Sequence, residues 1–233
     1  MQPWKGFEYT MARVHGLLKI RKQMSTQQGR ARPRREVSDL LRSALVLAVS
    51  AFDAYCHDCL AFYARDGLVR VLNNDCLTEE LQKFIKDHFK PTDLCKMLVK
   101  ADPQEEFIKA FVGCYDNRSF QDVGRIEKVF AFLGIEGICE KVATRLGQSR
   151  DQLAGRMAKI FSSRHSIVHS GDYVEGAQGR PKQKGIRAPA VQDDIRWLTD
   201  VTEAFDAVVK SALSASPGPV AEKGSAELRT TVS

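Results

Sequence analysis

The 233-residue chain contains no apolar run of about 18 residues free of polar interruptions, and its first residues lead straight into mixed sequence without an apolar signal core. These absences argue against a membrane span and a secretory leader, so we expect a cytoplasmic protein. Its six cysteines lack the paired spacing of a zinc finger and fall in apolar stretches. The sequence therefore predicts free, mostly buried thiols.

Acidic residues are scarce in the first 35 positions. Glu8 is the only acid there, against nine Lys or Arg, which gives this stretch a charge of +8. Because the whole chain carries +6, the remaining residues carry −2. We predict a basic N-terminal arm over residues 1–35, with a short helix from Phe7 to about Met24. The Gly- and Pro-containing end of the arm is either a solvated linker or a contact for RNA phosphates, through Arg30, Arg32, Arg34 and Arg35.

Strand-like alternation and repeats at a fixed period are also missing, whereas helical periodicity is widespread. The sequence predicts an all-α protein with a helical domain over residues 36–213 and a disordered tail over 214–233. Its central helix is the most apolar, at 36–73. The other predicted helices span about 78–89, 92–100, 103–115, 119–133, 135–146, 150–170 and 190–212.

Residues 171–189 interrupt this pattern with four glycines and two prolines. We expect a long loop without a regular element, of the kind that is usually functional or mobile. It carries a net charge of +2, and Arg180, Lys182 and Lys184 are candidate contacts for RNA.

Chemistry is concentrated in the hexapeptide Arg164-His165-Ser166-Ile167-Val168-His169 at the end of an amphipathic helix. Arginine is a permanent cation whose planar fork suits phosphate, and histidine exchanges protons near neutral pH. On an ideal helix Arg164 and His169 lie about 140° apart, so they can flank one groove without stacking. The plain alternative is an interhelical arginine and a helix-capping histidine with no chemical role.

A metal site is a second alternative, since His165 and His169 are four residues apart and Asp172 follows. However, Ser166 stands where the motif H-E-x-x-H has its general base, so we predict no metal and no cofactor.

The order Arg164, polar His165, then Ile167-Val168 before His169 resembles the R-x4-H motif of the HEPN superfamily. The run from Ser43 to Asp58 is similar to the family's early long helix with an acidic-aromatic pair, here Asp53 and Tyr55. The ending His169-Ser170-Gly171-Asp172, with a Gly- and Lys-rich loop and a last helix, is most similar to the RiboL-PSP-HEPN branch.

This resemblance implies a HEPN-like helical bundle with extra helices and a metal-independent endoribonuclease activity. His169 would act as general acid or base and Arg164 would hold the scissile phosphate. His165 would support them, and Asp53 would orient Arg164 unless it is simply a solvated acid. The resemblance also implies a homodimer and a toxin or anti-phage role under an antitoxin or regulatory protein. Two alternatives stay open: an RNA- or nucleotide-binding module without catalysis, and a helical regulatory or scaffold subunit.

Overall fold

The computed structural model describes residues 2–27, 35–73, 79–175 and 181–214. Within these ranges the chain is all-α apart from one small hairpin, as predicted. The elements are α1 (Pro3–Gln27), α2 (Arg35–Asn73), α3 (Glu79–His88), α4 (Pro91–Leu98), α5 (Pro103–Gly113), α6 (Val123–Phe132), α7 (Ile138–Arg145), α8 (Arg150–Ser170), β1 (Tyr173–Glu175), β2 (Pro181–Gln183) and α9 (Ala188–Ser214).

Helix α2 is the centre of the bundle and contacts α1, α5, α6, α8 and α9. Phe52, Tyr55, Cys56 and Cys59 are completely buried on it. Residues 35–69 are long and apolar enough to cross a membrane by length and hydropathy alone, a test that the core helix of a bundle also passes. Half of the most apolar stretch of this helix is buried inside the bundle. A helix surrounded by other helices needs apolar residues on most of its faces, which accounts for its hydropathy.

Helix α1 is longer than predicted and is docked along α2. Phe7, Met11 and Val14 are buried, and the Phe7 ring lies 6.2 Å from that of Tyr55 between centroids. Their spacing of four and three residues places them on one helical face. Much of the predicted basic arm therefore belongs to the core, while its charged side chains Lys5, Arg13, Lys19 and Lys22 lie on the exposed face.

The predicted loop after α8 contains two three-residue strands, which corrects the expectation of no regular element. Strands β1 and β2 pair antiparallel, with Val174 opposite Lys182. The Lys184 N–H donates to the Asp172 carbonyl at 2.8 Å and extends the pairing towards α8. Strands this short are held by backbone hydrogen bonds and carry too few side chains to show a period of two.

The middle helices α3 to α7 enclose an aromatic cluster that includes Phe84, Phe111 and Phe132. They approach α2 closely at Gly67, where an added Cβ would stand 2.9 Å from the Leu133 backbone. A glycine is therefore required at this helix crossing, and α2 continues through it without a break.

Candidate functional site

The hexapeptide occupies the last two turns of α8, whose ends are both well defined. At its start Ser149 and Gln152 form a reciprocal capping box. At its end Gly171 adopts a left-handed conformation, with φ of 59°, and the Asp172 N–H donates to the Ser166 carbonyl at 3.1 Å. This arrangement satisfies a carbonyl that the helix leaves free and fixes where the final turn stops.

Arg164 lies on the face of α8 that also carries the buried residues Met157 and Ile160. Its side chain is half-buried, and its Nε is a buried donor without a hydrogen-bond partner. Among the residues that the structure describes, only Arg21 and Gln148 also have such an orphan side-chain atom. Arg164 also forms no ion pair within the described ranges. Its guanidinium therefore keeps an unused donor and an unneutralised charge.

His169 is exposed on the last turn of α8. Its ring centroid lies 4.3 Å from that of His165, which is also exposed. The structure thus brings the two histidines together on the outer surface, while Arg164 sits towards the core beside them.

Asp53 has partners other than the one that the family resemblance implied. Its carboxylate accepts hydrogen bonds from the Ser119 hydroxyl at 3.2 Å and from the Phe120 N–H. It faces the connection between α5 and α6, so it ties α2 to the middle helices instead of orienting Arg164. Its neighbour in the acidic-aromatic pair, Tyr55, donates to the buried Asp206 at 3.4 Å.

A buried ion pair anchors the segment after the hexapeptide. The Arg42 Nε and Nη2 atoms lie 3.2 and 3.1 Å from Asp172 Oδ2, and Arg42 also donates to the Lys184 carbonyl. The two side chains are only 6% and 11% exposed. Asp172 has a positive φ of 58° and also contacts Ser166 and Lys184. Sequence reasoning missed this pair, because an isolated arginine in a helix resembles an ordinary surface residue.

This pairing bears on the metal alternative, since the Asp172 carboxylate is occupied by Arg42. In the described ranges no three His, Cys, Asp or Glu side chains are grouped as metal ligands would be. Of the cysteines, Cys56, Cys59 and Cys139 are buried and free, Cys114 is half-buried, and Cys95 is exposed.

The hairpin is also tied to α2 and borders a cavity beside the hexapeptide. Arg35 donates to the Tyr173 hydroxyl at 2.9 Å, and Gln183 donates to Asp39 at 3.2 Å. The cavity has a volume of about 600 Å³ and is lined by residues of α1, α2, the end of α8 and the hairpin, including Val168 and Tyr173. Arg164 and His169 do not line it.

The predicted RNA contacts fall into two groups. Arg30, Arg32, Arg34 and Arg180 lie outside the described residues. Of the others, Lys182 is exposed on β2, Arg35 contacts Tyr173, and Lys184 contacts Asp172 and Ser166. Arg35 and Lys184 therefore hold the hairpin as well as contributing positive charge.

A known protein family matches most of the chain. The model of the RiboL-PSP-HEPN family matches residues 16–211, from within α1 to within α9. The chain belongs to the RiboL-PSP-HEPN family. The match includes the middle helices α3 to α7. No curated protein and no solved structure matches the chain.

Membership of the RiboL-PSP-HEPN family indicates a nuclease or RNA-related module. HEPN domains are often ribonucleases, and some members are inactive. Family membership therefore favours RNA-related chemistry, and the candidate residues for it lie at the end of α8.

Proposed function

We propose that this RiboL-PSP-HEPN protein is a metal-independent endoribonuclease whose catalytic residues are Arg164 and His169. In this proposal the ribose 2′-hydroxyl attacks the adjacent phosphorus and the bond to the 5′-oxygen breaks. The products are a 2′,3′-cyclic phosphate and a 5′-hydroxyl. His169 either accepts the proton of the 2′-hydroxyl, with water protonating the leaving oxygen, or donates a proton to the leaving oxygen, with water accepting that of the 2′-hydroxyl.

The observation that carries the proposal is the unsatisfied guanidinium of Arg164. A buried donor without a partner costs about 1–3 kcal/mol, so such an atom in a packed bundle calls for an explanation. A phosphate oxygen that reaches the guanidinium would satisfy it. Because no carboxylate of the described residues pairs with Arg164, its charge is free to stabilise the transition state.

The position of His169 agrees with a role in proton transfer. Its ring is exposed, so RNA and water can reach it. The His165 ring packs against it at an interplanar angle of 39°, which limits the orientations that the His169 ring can adopt. We assign His165 a supporting role on this basis.

A homodimer would complete the site by bringing two copies of the hexapeptide to one cleft. Val168, Tyr173 and Val174 are 47%, 43% and 39% exposed and lie within or shortly after the hexapeptide. A second copy of the chain would remove this apolar surface from water. Sedimentation at micromolar concentration tests the dimer, and a single species near 26.1 kDa would contradict it.

The biological role that we propose is a cytoplasmic toxin or anti-phage effector held in check by an antitoxin or regulatory protein. An effector that cuts RNA without a cofactor needs such control, because its substrate is present throughout the cell.

The test is cleavage of single-stranded RNA by the purified chain in EDTA, with mass spectrometry of the product ends. We expect cyclic phosphate and 5′-hydroxyl termini, whereas DNA of the same sequence survives because it lacks the attacking hydroxyl. Activity that is lost in EDTA and returns with zinc or magnesium would reject the metal-free mechanism.

Intact RNA that is nevertheless bound would support the non-catalytic RNA- or nucleotide-binding module instead. If RNA is neither bound nor cut, the helical regulatory or scaffold subunit becomes the better description.

A further inference from the structure

A second concave site lies among the middle helices, away from the hexapeptide. This pocket has a volume of about 330 Å³ and lies between α3, the connection after α5 and the start of α6. Three cations line it: Arg118, Arg125 and Lys128. Its volume falls at the lower end of the range of about 300–1,000 Å³ that is usual for ligand pockets.

Arg118 is held by a neutral partner. Its Nη2 lies 3.1 Å from His88 Nε2, and because arginine can only donate, Nε2 is the acceptor. His88 Nδ1 lies 3.0 Å from the Phe84 carbonyl and is therefore the protonated nitrogen. His88 is thus neutral in this arrangement, and it orients Arg118 without cancelling its charge. Tyr115 lies under the same guanidinium, 5.8 Å away at the ring centroid.

The other two cations are not neutralised either. Arg125 donates through Nη1 to the Ser119 carbonyl, and Lys128 is exposed, with no hydrogen bond or ion pair to the described residues. Among the described residues, the acid that lines the pocket is Asp122, and its carboxylate accepts the backbone N–H of Arg125 at 2.7 Å as the cap of α6. Within the described ranges no carboxylate forms an ion pair with any of the three cations.

Other arginines of the bundle differ in this respect. Arg42, Arg150 and Arg156 are each paired with a carboxylate, from Asp172, Glu127 and Asp193 respectively. Those pairs tie elements together and leave little charge for a ligand. Arg118 and Arg125 are also held in place, but by an imidazole and a carbonyl, so they are oriented cations with their charge intact. Such an arrangement suits a ligand with several anionic oxygens.

We propose that this pocket binds a phosphate group, supplied either by an RNA strand or by a free nucleotide. The site goes beyond the proposed ribonuclease function, because neither Arg164 nor His169 lines it. It gives the middle helices a ligand-binding role in addition to their packing against α2.

The test compares two variants of the full-length chain, each with a pair of substitutions added to His169→Ala, which keeps the RNA from being consumed. One carries Arg118→Gln with Lys128→Gln, and the control carries Lys141→Gln with Arg145→Gln. The control removes the same charge from exposed positions on α7. Affinity for a short single-stranded RNA is measured against salt concentration, and affinity for ATP is measured by calorimetry.

If an RNA strand supplies the phosphate, the slope of log K against log salt should become shallower in the pocket variant, by about 0.7 for each phosphate that the removed cations neutralised. In the control the slope should stay closer to that of the chain with His169→Ala alone. If a free nucleotide supplies the phosphate, ATP binding should weaken by about tenfold or more in the pocket variant alone, as expected when a charge-assisted hydrogen bond is removed. Either result supports the site and identifies the source.

Equal effects of the two variants on both ligands, or no binding of either ligand to the chain with His169→Ala alone, would overturn the proposal. Lys128→Glu provides a second test if the double variant misfolds, because the Lys128 side chain forms no hydrogen bond or ion pair to the described residues. Cleavage is assayed separately, so the binding result can still be interpreted if the ribonuclease proposal fails.

Discussion

The two ends of α8 use their polar side chains in opposite ways. At the first turn Ser149 and Gln152 cap each other's backbone, and Arg150 forms two hydrogen bonds of 2.8 and 2.7 Å with Glu127. At the last two turns Arg164 has an orphan donor and His169 is exposed. The first turn is satisfied within the protein, whereas at the last turns Arg164 has no partner among the described residues and His169 faces outward.

This difference indicates that the first turn of α8 contributes to stability and that its last turns are suited to chemistry. The unsatisfied end is still fixed in space, because Gly171 stops the helix and the Arg42–Asp172 pair holds the residues that follow. Fixed side chains with free bonding capacity are what a catalytic site requires. Changes at the last turns should therefore affect activity, and changes at the first turn or in the anchor should affect folding.

The largest effect is expected for His169→Ala. Loss of the proton-transfer group should lower RNA cleavage by about 10²–10⁴-fold, while circular dichroism and melting temperature stay close to those of the unsubstituted chain. Arg164→Lys should also lose most activity, because an ammonium cannot reproduce the planar fork.

The matched control is His15→Gln, which removes an exposed histidine from α1. If both histidine variants lose activity equally, or if His169→Ala cuts RNA at the normal rate, the proposed chemical role of the last turn is wrong.

Arg42→Met tests the anchor that follows the last turn. It leaves the Asp172 carboxylate, which is only 11% exposed, with Ser166 and the more exposed Lys184 as its remaining partners. The free energy of unfolding should therefore fall, by up to about 3–5 kcal/mol. Urea denaturation measures the loss. The double variant Arg42→Met with Asp172→Asn should be more stable than Arg42→Met alone, because it no longer buries a carboxylate charge that has lost its closest partner. A double variant that is less stable by the sum of both single effects would contradict this account.

Gly171→Ala tests the stop signal at the end of α8. The left-handed φ of 59° and an added Cβ only 2.9 Å from Tyr173 should together cost at least about 1–2 kcal/mol. Gly155→Ala, in the interior of the same helix, meets no atom within 4 Å and should stabilise the protein by about 0.5–1 kcal/mol. Thermal denaturation should show a lower melting temperature for Gly171→Ala and a higher one for Gly155→Ala. Shifts in the same direction would contradict this explanation.

The smallest effect on stability is expected at the first turn of α8, where the contribution of the Arg150–Glu127 pair depends on pH. The hydrogen bond from Arg150 lowers the pKa of Glu127 below its ordinary value of 4.5. The pair therefore contributes its full stability above that value and loses it as the pH falls through the lowered pKa. Glu127→Gln should destabilise the protein near neutral pH, and the difference from the unsubstituted chain should shrink in acid. A difference that is constant with pH would show that the ion pair does not contribute.

Helices with strong caps and regular periodicity were predictable from the sequence. Residues 150–170 were predicted and found to form α8, because Ser149 and Gly171 signal both ends. The all-α class and the RiboL-PSP-HEPN family are confirmed as well. The catalytic roles of Arg164 and His169 stay predictions. The pairing of the strands 173–175 and 181–183 and the docking of α1 were missed, since both depend on contacts outside the local sequence.

The sequence alone determined the helices and their ends, because capping and periodicity act within a few residues. It also determined the residue types of the hexapeptide and therefore the chemistry that they could carry out. Only the tertiary structure decided which charged groups are used internally. It paired Arg42 with Asp172 and engaged Asp53 with Ser119. Among the described residues it left Arg164, Arg118 and Arg125 without a carboxylate partner. The physical reason is that an ion pair forms between side chains more than a hundred residues apart only when packing brings them within about 4 Å, a distance that the sequence pattern does not encode.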